Sequence, residues 1–397
     1  MPQCGTAAGG SFRFGQLERS ITRFKFLVVD IYRDPHGFIV FQIPLIAEKI
    51  FKAAKPYMLL GTEDDYTSTP IANLKDTTLN SDRPVNVLAL NASDREWLAR
   101  FPYREILGAI GYVALGTRGD TSYAYKTHGR WSSGYNRDHC MSLLSFVRYL
   151  YQSRELPLIL CDTPGPLIGK CDADWNGTGP SQSTSGYICF DGAAPLSWAA
   201  KSIKASARST AEAEFMSMCA TSTELVYLKR FIESIHNSIL RPVGLLPRFM
   251  DVADAEQLGH IPSLDDSAVA VLRAQEGIGL DLPPQPVIFT DSMAGKAVAE
   301  KKWVSDRMRH IRYSLNFIKS YIASGDLKLA YMKGADLCAD VLTKPFQVGA
   351  RYNSKGEQMD SFVKHRREIL GHSYYRPQQM GLGRLKLVRV DRASMQS

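Results

Sequence analysis

STAEAEFMSMCATSTELVYLKRFI (209–232) reads as one long helix, and the placement of its acids fixes how the rest of the chain must pack. Set at 100° intervals, Glu214, Met218, Thr221, Leu225, Leu228 and Ile232 fall within about 40° of one line, so an otherwise apolar packing face begins with a carboxylate. Glu212 lies roughly 200° from that face, toward solvent, where it completes a capping box with Ser209. An uncompensated acid on a buried face is costly. Glu214 therefore needs a partner that carries positive charge.

The elements on either side supply three more acids at comparable positions. Upstream, the turn Pro164-Gly165-Pro166 opens a strand, PLIGKCD (166–172), that ends in Asp172. SGYICFDG (185–192) and APLSWAAKS (194–202) follow as two short strands joined at Asp191-Gly192. Downstream, VIFTD (287–291) is a continuous apolar strand closed by Asp291. A helix over 305–324 carries Met308, Ile311, Leu315, Ile318 and Ile322 on its inner stripe, and Gly325 stops it. LKLAYMK (327–333) alternates as a strand with Leu327, Leu329 and Tyr331 on one side. Asp336 is placed to cap a last helix bearing Leu337, Asp340 and Val341, which Pro345 ends.

Strand, strand, strand, helix, strand, helices, strand, helix predicts an α/β unit with a mixed five-stranded sheet. Its first strand neighbours the strand that ends at Asp291, so Asp172 and Asp291 emerge at one sheet end. Glu214 faces them from the packed helix and Asp340 arrives from the last one. Each acid alone has a bland reading: Asp172 ends a strand, Asp291 caps the helix after it, and Asp340 pairs with Lys344 one turn on. Together, four convergent carboxylates call for a cation among them, the layout of a metal-dependent nuclease.

Composition frames this without deciding it. The 397 residues are 45% hydrophobic, ordinary for a globular protein. No stretch has the apolar length of a membrane span, and the opening residues lack a secretory layout, so no membrane partner and an intracellular setting are expected. Seven scattered cysteines at 4, 140, 161, 171, 189, 219 and 338 show neither zinc nor disulfide spacing. The formal charge of +8 permits a polyanionic partner. Residues 351–397 hold ten Lys/Arg against four Asp/Glu, 10 − 4 = +6, and read as a basic tail. Residues 251–281 hold seven acids and one arginine, and read as an acidic loop. Lys201, Lys204 and Arg208 form a basic cluster before the long helix, open to phosphate contact or to plain solvation.

CDADW (171–175), STSGY (183–187), LSWAAK (196–201), STAEAEF (209–215), FTDS (289–292), RMRHI (307–311) and ADVLTKPF (339–346), in that order, resemble the ribonuclease H domain of Ty1/copia-type retrotransposon polyproteins. FLVVDIYRDPHGFIVFQ (26–42), STPI (68–71), YREILGAIGYVALGTRGDTSYA (103–124) and FVRYLY (146–151) look like the segment joining a reverse-transcriptase palm to that domain. Two departures stand out. About fifty residues, 237–286, separate the long helix from the FTDS strand where the family has a short linker. Arg312, Ser314, Leu315 and Asn316 follow RMRHI where the family has an acid and an Arg-Tyr-His run.

The resemblance implies a ribonuclease H-like domain over 165–346 with an inserted acidic loop at 237–286. It implies a smaller α+β reverse-transcriptase remnant over 1–160 and a basic tail over 347–397. The family's metal-binding quartet falls on Asp172, Glu214, Asp291 and Asp340, the same four reached from burial. Two Mg²⁺ ions, with Mn²⁺ as a substitute, would serve hydrolysis of the RNA strand of an RNA–DNA hybrid, Asp172 bridging both ions. By the same resemblance, Asp340 would hold the ion carrying the attacking water, and Glu214 and Asp291 the ion at the leaving 3′-oxygen. The polymerase Tyr-x-Asp-Asp hairpin is missing from this sequence, so polymerisation would need an upstream reverse-transcriptase polypeptide. The rival expectation is a retroelement-derived fragment that binds nucleic acid or a partner without cutting.

Overall fold

The computed structural model describes residues 23–34, 38–58, 69–71, 91–160, 166–175, 183–203, 207, 209–235, 285–300, 311–345, 351–352, 358–359 and 361–372. The basic residues Lys204 and Arg208, nearly all of the 237–286 insert, and the 305–310 start of the inner-stripe helix lie outside them.

The first half begins with an antiparallel meander, β1 (Arg23–Phe26), β2 (Val29–Arg33) and β3 (Ile39–Gln42). Five α-helices follow among the described residues. They are α1 (Pro44–Ala54), α2 (Ala92–Arg100), α3 (Tyr103–Gly116), α4 (Ser122–Arg130) and α5 (Arg137–Gln152). Pro44 opens α1 where a missing N–H costs nothing, and Asn136 starts α5 in a capping box with His139. β4 (Leu158–Leu160) then returns to pair with β3, closing a four-stranded sheet.

The second half is built on β5 (Leu167–Asp174), β6 (Thr184–Asp191) and β7 (Ala194–Ser202), a continuous antiparallel run. The long helix α6 (Thr210–Ile235) crosses over to β8 (Val287–Thr290), which lies parallel to β5. α7 (Met293–Glu300) and α8 (Arg312–Ala323) lead to β9 (Lys328–Tyr331), parallel to β8. The sheet order β7-β6-β5-β8-β9 is the mixed five-stranded sheet expected from the sequence, with β5 and β8 side by side. By strand order and by the crossover helix this is a ribonuclease H-like fold.

Both faces of that sheet are covered. Leu167, Cys171, Tyr187, Ile288 and Leu329 pack under α6 and α8, against Phe215, Met218, Leu225, Leu315 and Ile318. Ile168, Ile188, Phe190, Phe289, Ala330 and Met332 pack on the other side into one core with α3, α4 and α5. The Trp198 indole of β7 seals this junction, donating to the Ala114 carbonyl at 2.9 Å. Trp198 is thus a packing residue at the seam between the two halves.

Three expectations are corrected. Asp340 does not sit on a last α-helix; Gly334–Asp336 and Cys338–Leu342 are two short 3-10 turns, the second cut off by Pro345, which disfavours a helical residue before it. Asp336 caps neither turn with its side chain and instead pairs with Lys364 Nζ at 2.5 Å. Glu212 is buried rather than solvent-facing, although its backbone N–H does find Ser209 Oγ at 3.3 Å.

The segment read as a basic tail also holds ordered structure. α9 (Ser361–Ile369) buries Phe362, His365, Arg366 and Ile369. Its Glu368 carboxylate accepts from Lys170 Nζ of β5 at 2.5 Å, which explains how a lysine is tolerated inside a buried strand. Arg366 Nη1 reaches the Tyr149 hydroxyl at 3.4 Å, and that hydroxyl donates to Asp120 Oδ2 at 2.6 Å. Asp120 in turn takes two bonds of 2.8 Å from Arg118. Apolar burial and this charged chain together bind the helical half, the sheet and α9 into one body.

Candidate metal centre

Asp172 stands near the end of β5, in register opposite Gly186 of β6. A Cβ at Gly186 would come within 2.7 Å of Leu342 Cβ and Thr343 Cγ2. Its absence lets the Cys338–Leu342 turn lie flat on the sheet, and that approach carries Asp340, Thr343 and Lys344 to Asp172. Asp291 follows directly on β8, the parallel neighbour of β5. Gly334 makes room for it, since a Cβ there would lie 2.9 Å from Asp291 Oδ2.

Glu214 enters from the first turns of α6. Ser217, one turn on, donates to the Asp172 carbonyl at 2.7 Å and receives the Ser185 hydroxyl at 3.0 Å. These bonds peg the helix to the sheet end and fix the height of Glu214 above it.

The result is a cluster of acids. One carboxylate oxygen from each of Asp172, Asp291 and Asp340 lies within 4.8 Å of the others. Glu214 stands beside them, buried, and its Oε2 has no hydrogen-bond partner among the described residues. Burial, then the charges of Asp172 and Asp291, push its carboxyl up to about 9. Burial and Asp172 push Asp340 up to about 7. Asp291 is raised for the same two reasons.

Two neighbours compensate the charge in part. The Thr343 hydroxyl donates to Asp172 Oδ2. Lys344 Nζ lies 3.0 Å from Asp340 Oδ1 and 3.9 Å from Asp172 Oδ2, so one ammonium is shared between two carboxylates. Four acids against one half-exposed lysine leave a negative excess. The donors are all hard oxygens, which suit Mg²⁺ or Mn²⁺ over softer metals. The orphaned Glu214 oxygen and the raised carboxyls fit a site whose charge balance is completed by a divalent ion.

No family model matches the chain. Comparison with curated proteins finds the Retrovirus-related Pol polyprotein from transposon RE2 of Arabidopsis thaliana, 30% identical over 245 residues. This chain is a relative of retrotransposon Pol polyproteins. The match covers 61% of the chain but only 14% of that polyprotein's length. A shorter relative, Secreted RxLR effector protein 161 of Plasmopara viticola, is 32% identical over 129 residues, which is 32% of this chain and 91% of the effector. Among solved structures, RNase H1 from the archaeon Halobacterium salinarum NRC-1 aligns over 45% of this chain and 95% of its own, at 13% identity and a TM-score of 0.25.

Within this polyprotein relative, the sequence-derived site residues divide as follows. Asp172, Asp291 and Asp340 come together, with Glu214 alongside. Lys201 is exposed on β7, its ammonium 5.8 Å from the Tyr187 ring centre. By strand alternation it faces the α6 side of the sheet, whereas the Asp172 side chain faces the Cys338–Leu342 turn. Sequence reading missed Thr343 and gave Lys344 too small a part. The i,i+4 spacing announced the Lys344–Asp340 pair, but nothing in it announced that Asp172 shares the same ammonium.

Proposed function

We propose that this chain is a metal-dependent endonuclease that hydrolyses the RNA strand of RNA–DNA hybrids. The observation that carries the proposal is the meeting of Asp172, Asp291 and Asp340 within 4.8 Å at the end of a ribonuclease H-like sheet, with Glu214 beside them. Those four residues would hold two Mg²⁺ ions, or Mn²⁺, which when bound supply an activated water and neutralise the departing oxygen.

The chain's own groups prepare that chemistry. Thr343 orients the Asp172 carboxylate, and Lys344 holds Asp172 and Asp340 at one separation until the ions take over the charge. Lys201, Lys204 and Arg208 are the proposed phosphate contacts that position a duplex without reading its sequence. The hybrid substrate, and an upstream reverse-transcriptase polypeptide as partner, are proposed from the resemblance of the sequence motifs to the retrotransposon ribonuclease H domain. Residues 1–160 are assigned to the connection region of such an enzyme.

Titration of Mg²⁺ into the protein with an end-labelled RNA–DNA hybrid tests this. Cleavage of the RNA strand, lost in Asp172→Asn with the fold intact, is the expected result; an uncut hybrid at every Mg²⁺ concentration overturns it. A second reading, a fragment that binds without cutting, is favoured by one observation: a relative covered over 91% of its own length is named an effector and not a polyprotein. It predicts a salt-sensitive mobility shift with no cleavage in the same titration.

A further inference from the structure

Lys126 belongs to α4, in the helical half of the chain, yet its ammonium lies at the acid end of the five-stranded sheet. Nζ donates to Thr184 Oγ1 at 2.7 Å, and Thr184 is the first residue of β6, paired with Asp174 of β5. Asp174 and Thr184 both face the side of the sheet that carries the Asp172 side chain, since Asp172 and Asp174 are two residues apart on one strand. At about 3.4 Å per residue the Asp174–Thr184 pair lies roughly 7 Å along the strand from Asp172. That is on the order of two nucleotide steps at about 3.4 Å of axis each.

The lysine is held in place and not spent. Among the described residues its hydrogen bond is the one to Thr184, which leaves two ammonium protons undirected. Its ammonium lies over the Tyr123 ring, with Nζ 5.9 Å from the ring centre. Asp174 supplies a nearby negative charge, and burial is the main influence on the ammonium, lowering its pKa to about 8. A cation desolvated this far and only partly compensated is poised for an anion. The platform beneath it is rigid, because the Trp198–Ala114 bond and the shared core fix the helical half against this sheet.

We infer that Lys126 is a substrate-binding residue: with Thr184 it forms a backbone-phosphate subsite beside the acid cluster, contributed by the helical half to the duplex lying on the sheet end. The inference rests on the nuclease reading above and deepens it. It makes residues before 160 part of the substrate surface, so that the sheet unit alone would grip a hybrid less well.

The test is steady-state cleavage of a fluorescently labelled RNA–DNA hybrid by the full chain, with binding measured across a salt series. Lys126→Met should raise KM roughly tenfold with kcat nearly unchanged, and lower the salt slope of binding by about one. Lys126→Arg should restore both. A purely structural lysine would instead lower the melting temperature and kcat while leaving the salt slope alone, and that pattern overturns the inference. Should Lys126→Met not fold, Lys126→Gln, which keeps a donor for Thr184 Oγ1 and loses only the charge, makes the same comparison. Wild-type protein that cuts the hybrid, with both neutral variants at wild-type KM and slope, overturns the subsite and leaves the nuclease reading standing. Wild-type protein that neither binds nor cuts overturns both.

Discussion

Lys344 Nζ sits 3.0 Å from Asp340 Oδ1, and the same ammonium is 3.9 Å from Asp172 Oδ2. A side chain from the end of a 3-10 turn thus neutralises acids that a metal would otherwise balance. Lys344→Met should therefore destabilise the metal-free protein. The lysine is 43% exposed, so solvent screening holds the effect to about 1 kcal/mol. Thermal melts with and without Mg²⁺ check this. The loss should shrink when Mg²⁺ is present, because the ion takes over the lysine's role. An equal loss in both buffers would deny Lys344 that role.

The acids also set a pH dependence. Glu214 is raised from 4.5 to about 9 and Asp340 from 3.8 to about 7, so the folded state holds protons that the unfolded chain releases. The contribution of these two acids to the stability of the metal-free protein is then greatest below the ordinary carboxylate range and falls as pH rises toward about 9. Glu214→Gln should remove the upper part of that fall and raise the melting point at pH 8–9 relative to wild type, by about 2–4 °C for each kcal/mol recovered. Melts across pH in chelator decide it, and a Glu214→Gln curve parallel to wild type would contradict the assignment.

The site depends on a close approach that only glycine permits. Gly186→Ala would place a Cβ 2.7 Å from Leu342 Cβ and 3.1 Å from the Leu342 carbonyl carbon, and backbone cannot swing aside as a side chain can. The Cys338–Leu342 turn should lift, at a cost of about 1–3 kcal/mol, taking Asp340 away from Asp172. Divalent-ion affinity should drop along with stability. Gly108→Ala, with nothing within 4 Å of its Cβ, is the control and should be neutral or mildly stabilising.

The buried Arg118–Asp120–Tyr149 chain makes a separate prediction about the frame. Asp120→Ala leaves the Arg118 guanidinium buried without its counter-ion, which costs about 3–5 kcal/mol. Urea unfolding measures this directly. Tyr149→Phe, which removes one 2.6 Å bond to Asp120, should cost about 1–3 kcal/mol because one buried carboxylate oxygen loses a donor.

How far these features were legible beforehand follows from the range of the forces involved. Periodicity and turn chemistry are local, and they located β5 to β9, α6 and the four acids. The burial of Glu212 was not local: the helix-wheel angle that points it outward assumes one packing surface, while α6 has neighbours on more than one side. The helix predicted at Asp340 failed because its residues carry the right apolar spacing, but Pro345 and the flat contact over Gly186 limit it to 3-10 turns. Net charge in the last forty-seven residues suggested a solvated tail, yet α9 is held by Phe362, Ile369 and a lysine buried on β5, a partner nearly two hundred residues away. Lys126 was invisible for the same reason. Nothing in SYAYKTHGR shows which strand its ammonium will meet.

The most direct measurement is isothermal titration of Mn²⁺ or Mg²⁺ into wild-type protein and into Asp172→Asn, run in two buffers of different ionisation enthalpy. If the four carboxylates form one cradle, wild type binds the ion and releases protons as Glu214 and Asp340 lose theirs, while Asp172→Asn binds at least tenfold more weakly. Wild-type and Asp172→Asn isotherms that coincide, with no proton release, would contradict a divalent-ion site built from Asp172, Glu214, Asp291 and Asp340.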